Sequence, residues 1–382
     1  MLPNIKKVFP VLGLSIFCAT IGIGIIAPLL PLYANNMGAT GTWMGLIVGA
    51  YSISRVVTIP LIGPLSDRRG RRIFLIIGLF AFILTSLSYV WANTIASLLF
   101  IRFLQGVAAG IVIPTSQAYI GDITPAGEEG KWMGYYNMMF AAGFACGPLM
   151  GGILTDYLGM NAAFYGMAFF NLLGFLGVIL FVPETIPKGK AKAGGSSFKE
   201  IAASRVMWGI FSYRMGISAC RGIILTFLPV FAAIHVGLGT SQIGILLTLN
   251  ALLVSVLQLP SGKLADRFNR RALVVLGSFM VVVSMWLTPS SNAFWYLIAL
   301  FVLLSCGDAA SIPAASAMVV QEGKIFGMGM VMAAFNVSIG IGQAVSPFLG
   351  GLIVDYININ ASFYFIAILM LICAGAFGWL TR

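Results

Sequence analysis

Twelve unbroken apolar runs, each about as long as a bilayer is thick, divide this 382-residue chain almost end to end. They lie near residues 8–34, 43–62, 73–92, 95–120, 132–155, 160–182, 206–234, 242–261, 271–289, 293–319, 325–353 and 357–381. A spanning helix needs about 20 apolar residues. The strands of a transmembrane barrel would instead alternate over about ten residues. The runs therefore predict an all-α polytopic membrane protein. Composition closes the soluble alternatives, with 59% of residues hydrophobic and 9% charged, against about 25% charged in soluble domains. A soluble enzyme, a disordered chain and a nucleic-acid binder are excluded on that ground.

The first run follows Lys6 and Lys7 and exceeds the 7–15 apolar residues of a signal peptide, so it reads as a retained helix. Cys18, Cys146, Cys220, Cys306 and Cys373 all lie inside runs, without CxxC spacing. They read as small buried hydrophobes, and neither a disulfide nor a metal site is expected.

The net charge is +11, and its distribution sets a topology. With the N-terminus in the cytoplasm and the runs alternating, every basic residue outside the spans falls on the cytoplasmic side. Only Arg55, Arg102, Arg214 and Arg221 lie within spans. Positive residues stay on the side of synthesis, so both termini are expected to be cytoplasmic. The basic balance then reports topology and anionic lipid headgroups.

The chain repeats itself at an offset of 199. GPLSDRRGRR at 63–72 returns as GKLADRFNRR at 262–271, and NAAFY at 161–165 as NASFY at 360–364. The same shift carries Pro114, Asn137, Pro148, Gly151, Gly152, Asp156 and Tyr157 onto Pro313, Asn336, Pro347, Gly350, Gly351, Asp355 and Tyr356. Six helices per copy is an even number, so the two halves enter the membrane in the same sense. A Lys-, Gly- and Ser-rich stretch separates them. The expected organisation is a six-helix bundle over 1–182, a cytoplasmic linker over 183–203 and a second bundle over 204–382.

Two parallel six-helix halves joined by a linker, together with the local motifs, resemble the major facilitator superfamily, and within it the 12-helix proton-linked drug antiporters. Gly63, Asp67, Arg68, Gly70, Arg71 and Arg72 match the family's loop between helices 2 and 3, echoed by Gly262, Asp266, Arg267 and Arg270. The resemblance implies that this loop is a conformational latch, its Asp docking on a helix N-terminus. Asp122 and the residues to Lys131 resemble the loop after helix 4, and Val182-Pro183-Glu184-Thr185 the end of helix 6. Arg102-Phe103-Leu104-Gln105-Gly106 resembles the R-x-x-Q-G element of drug exporters. Gly143, Gly147, Pro148, Gly151 and Gly152 resemble the antiporter motif on helix 5, with an echo at Pro347, Gly350 and Gly351. Glycines at this spacing let helices approach closely, and the resemblance implies a moving interface.

Ionisable residues inside a span cost about 2.5–3.5 kcal/mol each and are functional candidates. In the family fold, helices 1, 4, 7 and 10 line the central cavity, and Arg102, Arg214, Arg221 and Asp308 fall on three of them. None of the four is duplicated by the repeat. Arg221 and Asp308 lie at similar depth, so a pair between them is expected, with Asp308 protonating when the pair separates. A fixed structural pair is the competing reading. Arg102 and Arg214 would bind an anionic group or hold water. Arg55 is placed to snorkel, and His235 at the outer mouth reads as solvated. Helix 1 carries no acid, a departure from many drug exporters. No phosphate-binding loop or HExxH occurs, so transport powered by a proton gradient, without a cofactor, is expected. The leading reading is proton-coupled efflux of small lipophilic compounds by a monomer in the cell membrane. An organic-anion carrier or symporter is the alternative, and a receptor or membrane enzyme finds no supporting constellation.

Overall fold

The structure, a computed structural model, describes residues 5–125, 128–185, 204–326 and 328–382. Most of the expected linker, 186–203, thus lies outside the described residues. Twelve long helices follow one another among those described: α1 Ile5–Asn36, α2 Gly41–Arg69, α3 Arg71–Ser88, α4 Ile95–Ile123, α5 Glu129–Leu158 and α6 Met160–Phe181. The second series is α7 Arg205–His235, α8 Thr240–Arg267, α9 Arg270–Leu287, α10 Phe294–Phe326, α11 Met328–Tyr356 and α12 Ile359–Leu380. All twelve are long and apolar enough to cross a bilayer. Single 3-10 turns at Tyr89–Trp91 and Thr288–Ser290 finish α3 and α9, another echo of the repeat. Several helices overrun the apolar runs. In α2 and α8 the basic motif segments continue the helix as its last turns.

Helix starts carry short polar side chains that satisfy orphan N–H groups. Thr94 and Ser97 cap α4 reciprocally, Ser204 accepts from Met207 N–H at α7, and Asn358 from Ala361 N–H at α12.

Contacts divide the chain into two compact units. One comprises Met1–Gly38, Ala50–Lys190 and Gly239–Thr248, and the other Ala39–Gly49, Ala191–Leu238 and Leu249–Arg382. The first turns of α2 therefore belong to the second unit, and those of α8 to the first. In the first unit α1 packs on α5 and α6, and α3 on α4 and α6. In the second, α7 packs on α11 and α12, and α9 on α10 and α12. Helices α1 and α7 are the most enclosed of their units. Small residues permit this. A Cβ at Gly147 would collide with Gly24 of α1, and one at Gly342 with the Met215 carbonyl of α7.

Candidate functional site

Arg221 and Asp308 meet inside the second unit. Arg221 Nη2 donates to Asp308 Oδ2 at 3.2 Å, joining α7 to α10. The Asp308 side chain is 5% exposed and that of Arg221 39%. The acid is therefore enclosed and the base half open. A lone carboxylate at this depth would be costly, so the pair holds only while the guanidinium stays in place. Arg214, two turns before Arg221, lays its guanidinium 4.8 Å from the centre of the Phe335 ring on α11. Its Nε has no hydrogen-bond partner among the described residues.

Arg102 lies in the first unit, apart from that pair. It is 7% exposed, and its Nη1 donates to Gln105 Oε1 at 2.6 Å, one helical turn on. The same oxygen accepts from the Tyr89 hydroxyl at 3.1 Å. The Tyr51 ring of α2 lies 4.6 Å from the guanidinium, and Arg55 approaches the same ring at 5.6 Å. Close approach of α2 and α4 makes this possible, because Gly106 leaves no room for a Cβ beside Tyr51 and Ser54. A buried cation is thus held by a neutral amide and an aromatic face, an arrangement worth about 2 kcal/mol from the ring alone when desolvated. The R-x-x-Q-G element is thus part of a built network.

The loop motif is organised around Arg71. Its Nε donates to Asp122 Oδ2 at 3.0 Å and its Nη1 to Ser66 Oγ at 2.8 Å. Ser66 in turn donates to the Gly63 carbonyl. Gly70, at φ +96°, precedes α3 and has no side chain to cap it. Glu184 does so from the end of α6, accepting Arg72 N–H at 3.1 Å, while Arg72 Nη2 donates to the Ile179 carbonyl. In the second unit Asn269, the repeat mate of Gly70, caps α9 itself by accepting from Arg271 and Ala272 N–H. Arg68 and Arg267 are exposed and Arg270 half-buried, and among the described residues no side chain presses on Gly262. The side chains of Asp67 and Asp266 lie outside the described residues.

The antiporter-like stripe faces two ways. Gly143, Gly147 and Gly151 abut α1 within the first unit, whereas Gly152 and the Pro148 carbonyl abut the first turns of α8. The echo does the same: Gly350 packs on Ile223 and Phe227 of α7, while Gly351 and Pro347 abut Gly41 and Gly45 of α2. One face is ordinary tight packing, and the other grips the end of the helix that has crossed into its unit.

Two residues that the sequence reading treated only as repeat mates stand at those same ends. Asp156 Oδ2 accepts the Ser241 N–H at 2.8 Å, and Oδ1 accepts the Thr240 hydroxyl. Asp355 Oδ1 accepts the Gly41 N–H, and its Oδ2 the N–H and hydroxyl of Thr42 at 2.9 and 2.6 Å. Each caps a helix of its own unit from the last turn of α5 or α11. The signal was present in the sequence. Of the segments on the side without basic residues, only these two carry an acid.

Comparison with known proteins settles the family. The description of the Major Facilitator Superfamily matches residues 12–241 and 215–382. The chain belongs to the Major Facilitator Superfamily. Multidrug resistance protein 2 of Bacillus subtilis is 27% identical over 392 residues, covering 97% of this chain and 94% of that protein. Among solved structures, a bacterial homologue of the human lysosomal transporter Spinster, in an inward-facing and unoccupied conformation, aligns with a TM-score of 0.82. It is 15% identical and covers 100% of this chain and 97% of its own. The human organic anion transporter MFSD10 (TETRAN) aligns at 0.68 with 19% identity, covering 98% and 100%. This member of the superfamily is accordingly a multi-pass plasma-membrane transporter of small molecules, not an enzyme, built on two repeated halves.

Proposed function

We propose that the protein is a proton-coupled antiporter that exports small lipophilic compounds by alternating access, its termini and basic loops facing the cytoplasm. The observation that carries this reading is the Arg221–Asp308 pair, an enclosed acid whose arginine partner is half open. With the cavity empty of substrate, movement of Arg221 out of the pair leaves a carboxylate in an apolar span, and such a group takes up a proton instead of remaining charged. Substrate binding returns Arg221 to Asp308 and expels that proton, so proton and substrate occupy the site in alternation. Arg214, on the same helix as Arg221, adds a second cation in this reading. The loop at 63–72 is the conformational latch in this reading. Relatedness to a protein named for multidrug resistance supports the export of drugs.

Proteoliposomes carrying an imposed pH gradient test it. Substrate-dependent proton release occurs in the wild type and is lost in Asp308→Asn, while gradient-free exchange of substrate persists. Unchanged proton release in that variant ends the proposal.

A second reading, an organic-anion carrier, draws on the two cations that Arg214 and Arg221 set against one carboxylate on α7 and α10. The likeness in fold to a protein titled an organic anion transporter accords with it. It predicts saturable carboxylate uptake that Arg214→Gln abolishes.

A further inference from the structure

A cavity of about 350 Å³ opens on the outer face of the second unit, between α9 and α12. Arg271 and Arg382 stand at its basic end, with Trp379 beside them. From there the wall runs past Gly378, Gly375 and Ala374. Phe279 marks the far end on α9, two turns and about 12 Å beyond Arg271. Phe279, Leu371 and Trp379 are exposed apolar side chains, which in a membrane protein face lipid.

The internal repeat shows that this hollow is specific to one half. The first half builds the same scaffold, because Arg72 donates to the Ile179 carbonyl just as Arg271 donates to that of Gly378. There the corresponding positions hold Phe175, Leu176 and Ile179, and Phe175 packs 5.8 Å from Phe80, the mate of Phe279. In the second half those three side chains are cut to Ala374, Gly375 and Gly378. A Cβ at Gly375 would meet nothing within 4 Å, and one at Gly378 only Val275 at 3.6 Å. These two glycines are therefore not required by helix packing. At the mouth, Pro183 of the first half is replaced by Arg382. Three side chains are emptied and one cation is added, all along a single groove.

We infer that this groove is a binding site for an anionic phospholipid of the leaflet next to the basic loops. Its phosphate sits between Arg271 and Arg382, and one acyl chain lies along Gly378, Gly375 and Ala374. Arg271 spends one N–H on the Gly378 carbonyl and keeps others for phosphate. An indole at headgroup depth suits the interfacial position of Trp379. Basic pockets between helices on that side of a membrane select anionic headgroups, each Arg contributing about fivefold.

Native mass spectrometry of the full detergent-purified chain tests the site, with phosphatidylglycerol, phosphatidylcholine and inorganic phosphate as probes. The wild type is expected to retain one phosphatidylglycerol with about 30-fold preference over phosphatidylcholine. Gly375→Leu with Gly378→Ile, which refills the groove as in the first half, removes the retained lipid. Arg382→Gln, at an exposed position that leaves the helices intact, lowers the preference about fivefold and decides the matter if the refilled variant fails to fold. Equal retention of the two lipids, an unchanged preference in both variants, or displacement of the lipid by inorganic phosphate overturns the inference.

Discussion

Asp355 and Thr42, 313 residues apart, are joined by two hydrogen bonds through one carboxylate oxygen, from the Thr42 N–H at 2.9 Å and its hydroxyl at 2.6 Å. Asp156 meets Ser241, the repeat mate of Thr42, in the same way through its backbone N–H at 2.8 Å. Both acids occupy the last turn of their own helix, the end where that helix's dipole disfavours negative charge. Local propensity therefore does not account for them. What does is the N-terminus each one faces, where the dipole and the orphan N–H groups reverse the sign. Capping of this kind is worth about 1 kcal/mol at an exposed site.

Replacement of either acid by alanine is expected to destabilise the protein by about 1 kcal/mol, lowering the thermal midpoint in detergent by about 2–4 °C. Because the caps lie in separate units, the double variant should lose the sum of the two. Asparagine at either position should recover only part of the loss, since its amide nitrogen cannot accept where the second carboxylate oxygen did. Differential scanning fluorimetry of the five variants checks the series.

The unequal exposure of Arg221 and Asp308 predicts unequal costs of breaking the pair. Arg221→Met leaves the enclosed acid without its cation and should destabilise by about 3 kcal/mol at neutral pH. Asp308→Asn leaves a half-open arginine that water can reach, so its penalty should be smaller. Chemical denaturation of the three proteins at neutral pH checks the order.

What was legible in the sequence follows from how far each signal travels. Hydropathy and the constant offset report on long stretches, so the twelve helices and the two halves could be read directly. Arg221 and Asp308 could be matched because charges in mid-run must lie at similar depth. Gln105 is visible within its motif, yet its role as the partner of Arg102 depends on Tyr51 and Tyr89 closing the network from α2 and the end of α3. Glu184 capping α3 across 112 residues left no local trace beyond the bareness of Gly70. The glycine stripe likewise gave its spacing but not its two faces. Adjacent glycines, Gly151 and Gly152, turn to different helices, and only the fold says which.

Glu128 offers a titration outside the spans. Its Oε2 accepts the Trp132 indole N–H at 2.9 Å and lies 3.5 Å from Lys131 Nζ. The indole hydrogen bond first, and Lys131 second, hold its carboxyl below the ordinary glutamate range. A depressed acid contributes stability above its unfolded-state pKa and loses it as pH falls through the folded one. The fluorescence difference between wild type and Glu128→Gln should therefore stay constant from neutral pH down to the ordinary carboxylate range. Below that range it should vanish as the carboxylate protonates and releases Trp132.

Gly70 and Glu184 supply a thermodynamic cycle. Gly70→Ala introduces two penalties, because φ +96° is unfavourable for any residue with a Cβ and because that Cβ would press on the Glu184 carboxylate 2.5 Å away. Together they should cost about 2–3 kcal/mol. Glu184→Ala alone removes the cap of α3 and should cost about 1 kcal/mol. In the Glu184→Ala background the collision is gone and only the backbone strain remains, so Gly70→Ala should then cost about 1–2 kcal/mol. The coupling of about 1 kcal/mol distinguishes this contact from two independent defects. Asn269→Gly in the second half should cost only a few tenths of a kcal/mol, because glycine is itself tolerated at an N-cap. Midpoints from thermal denaturation of the five proteins close the cycle.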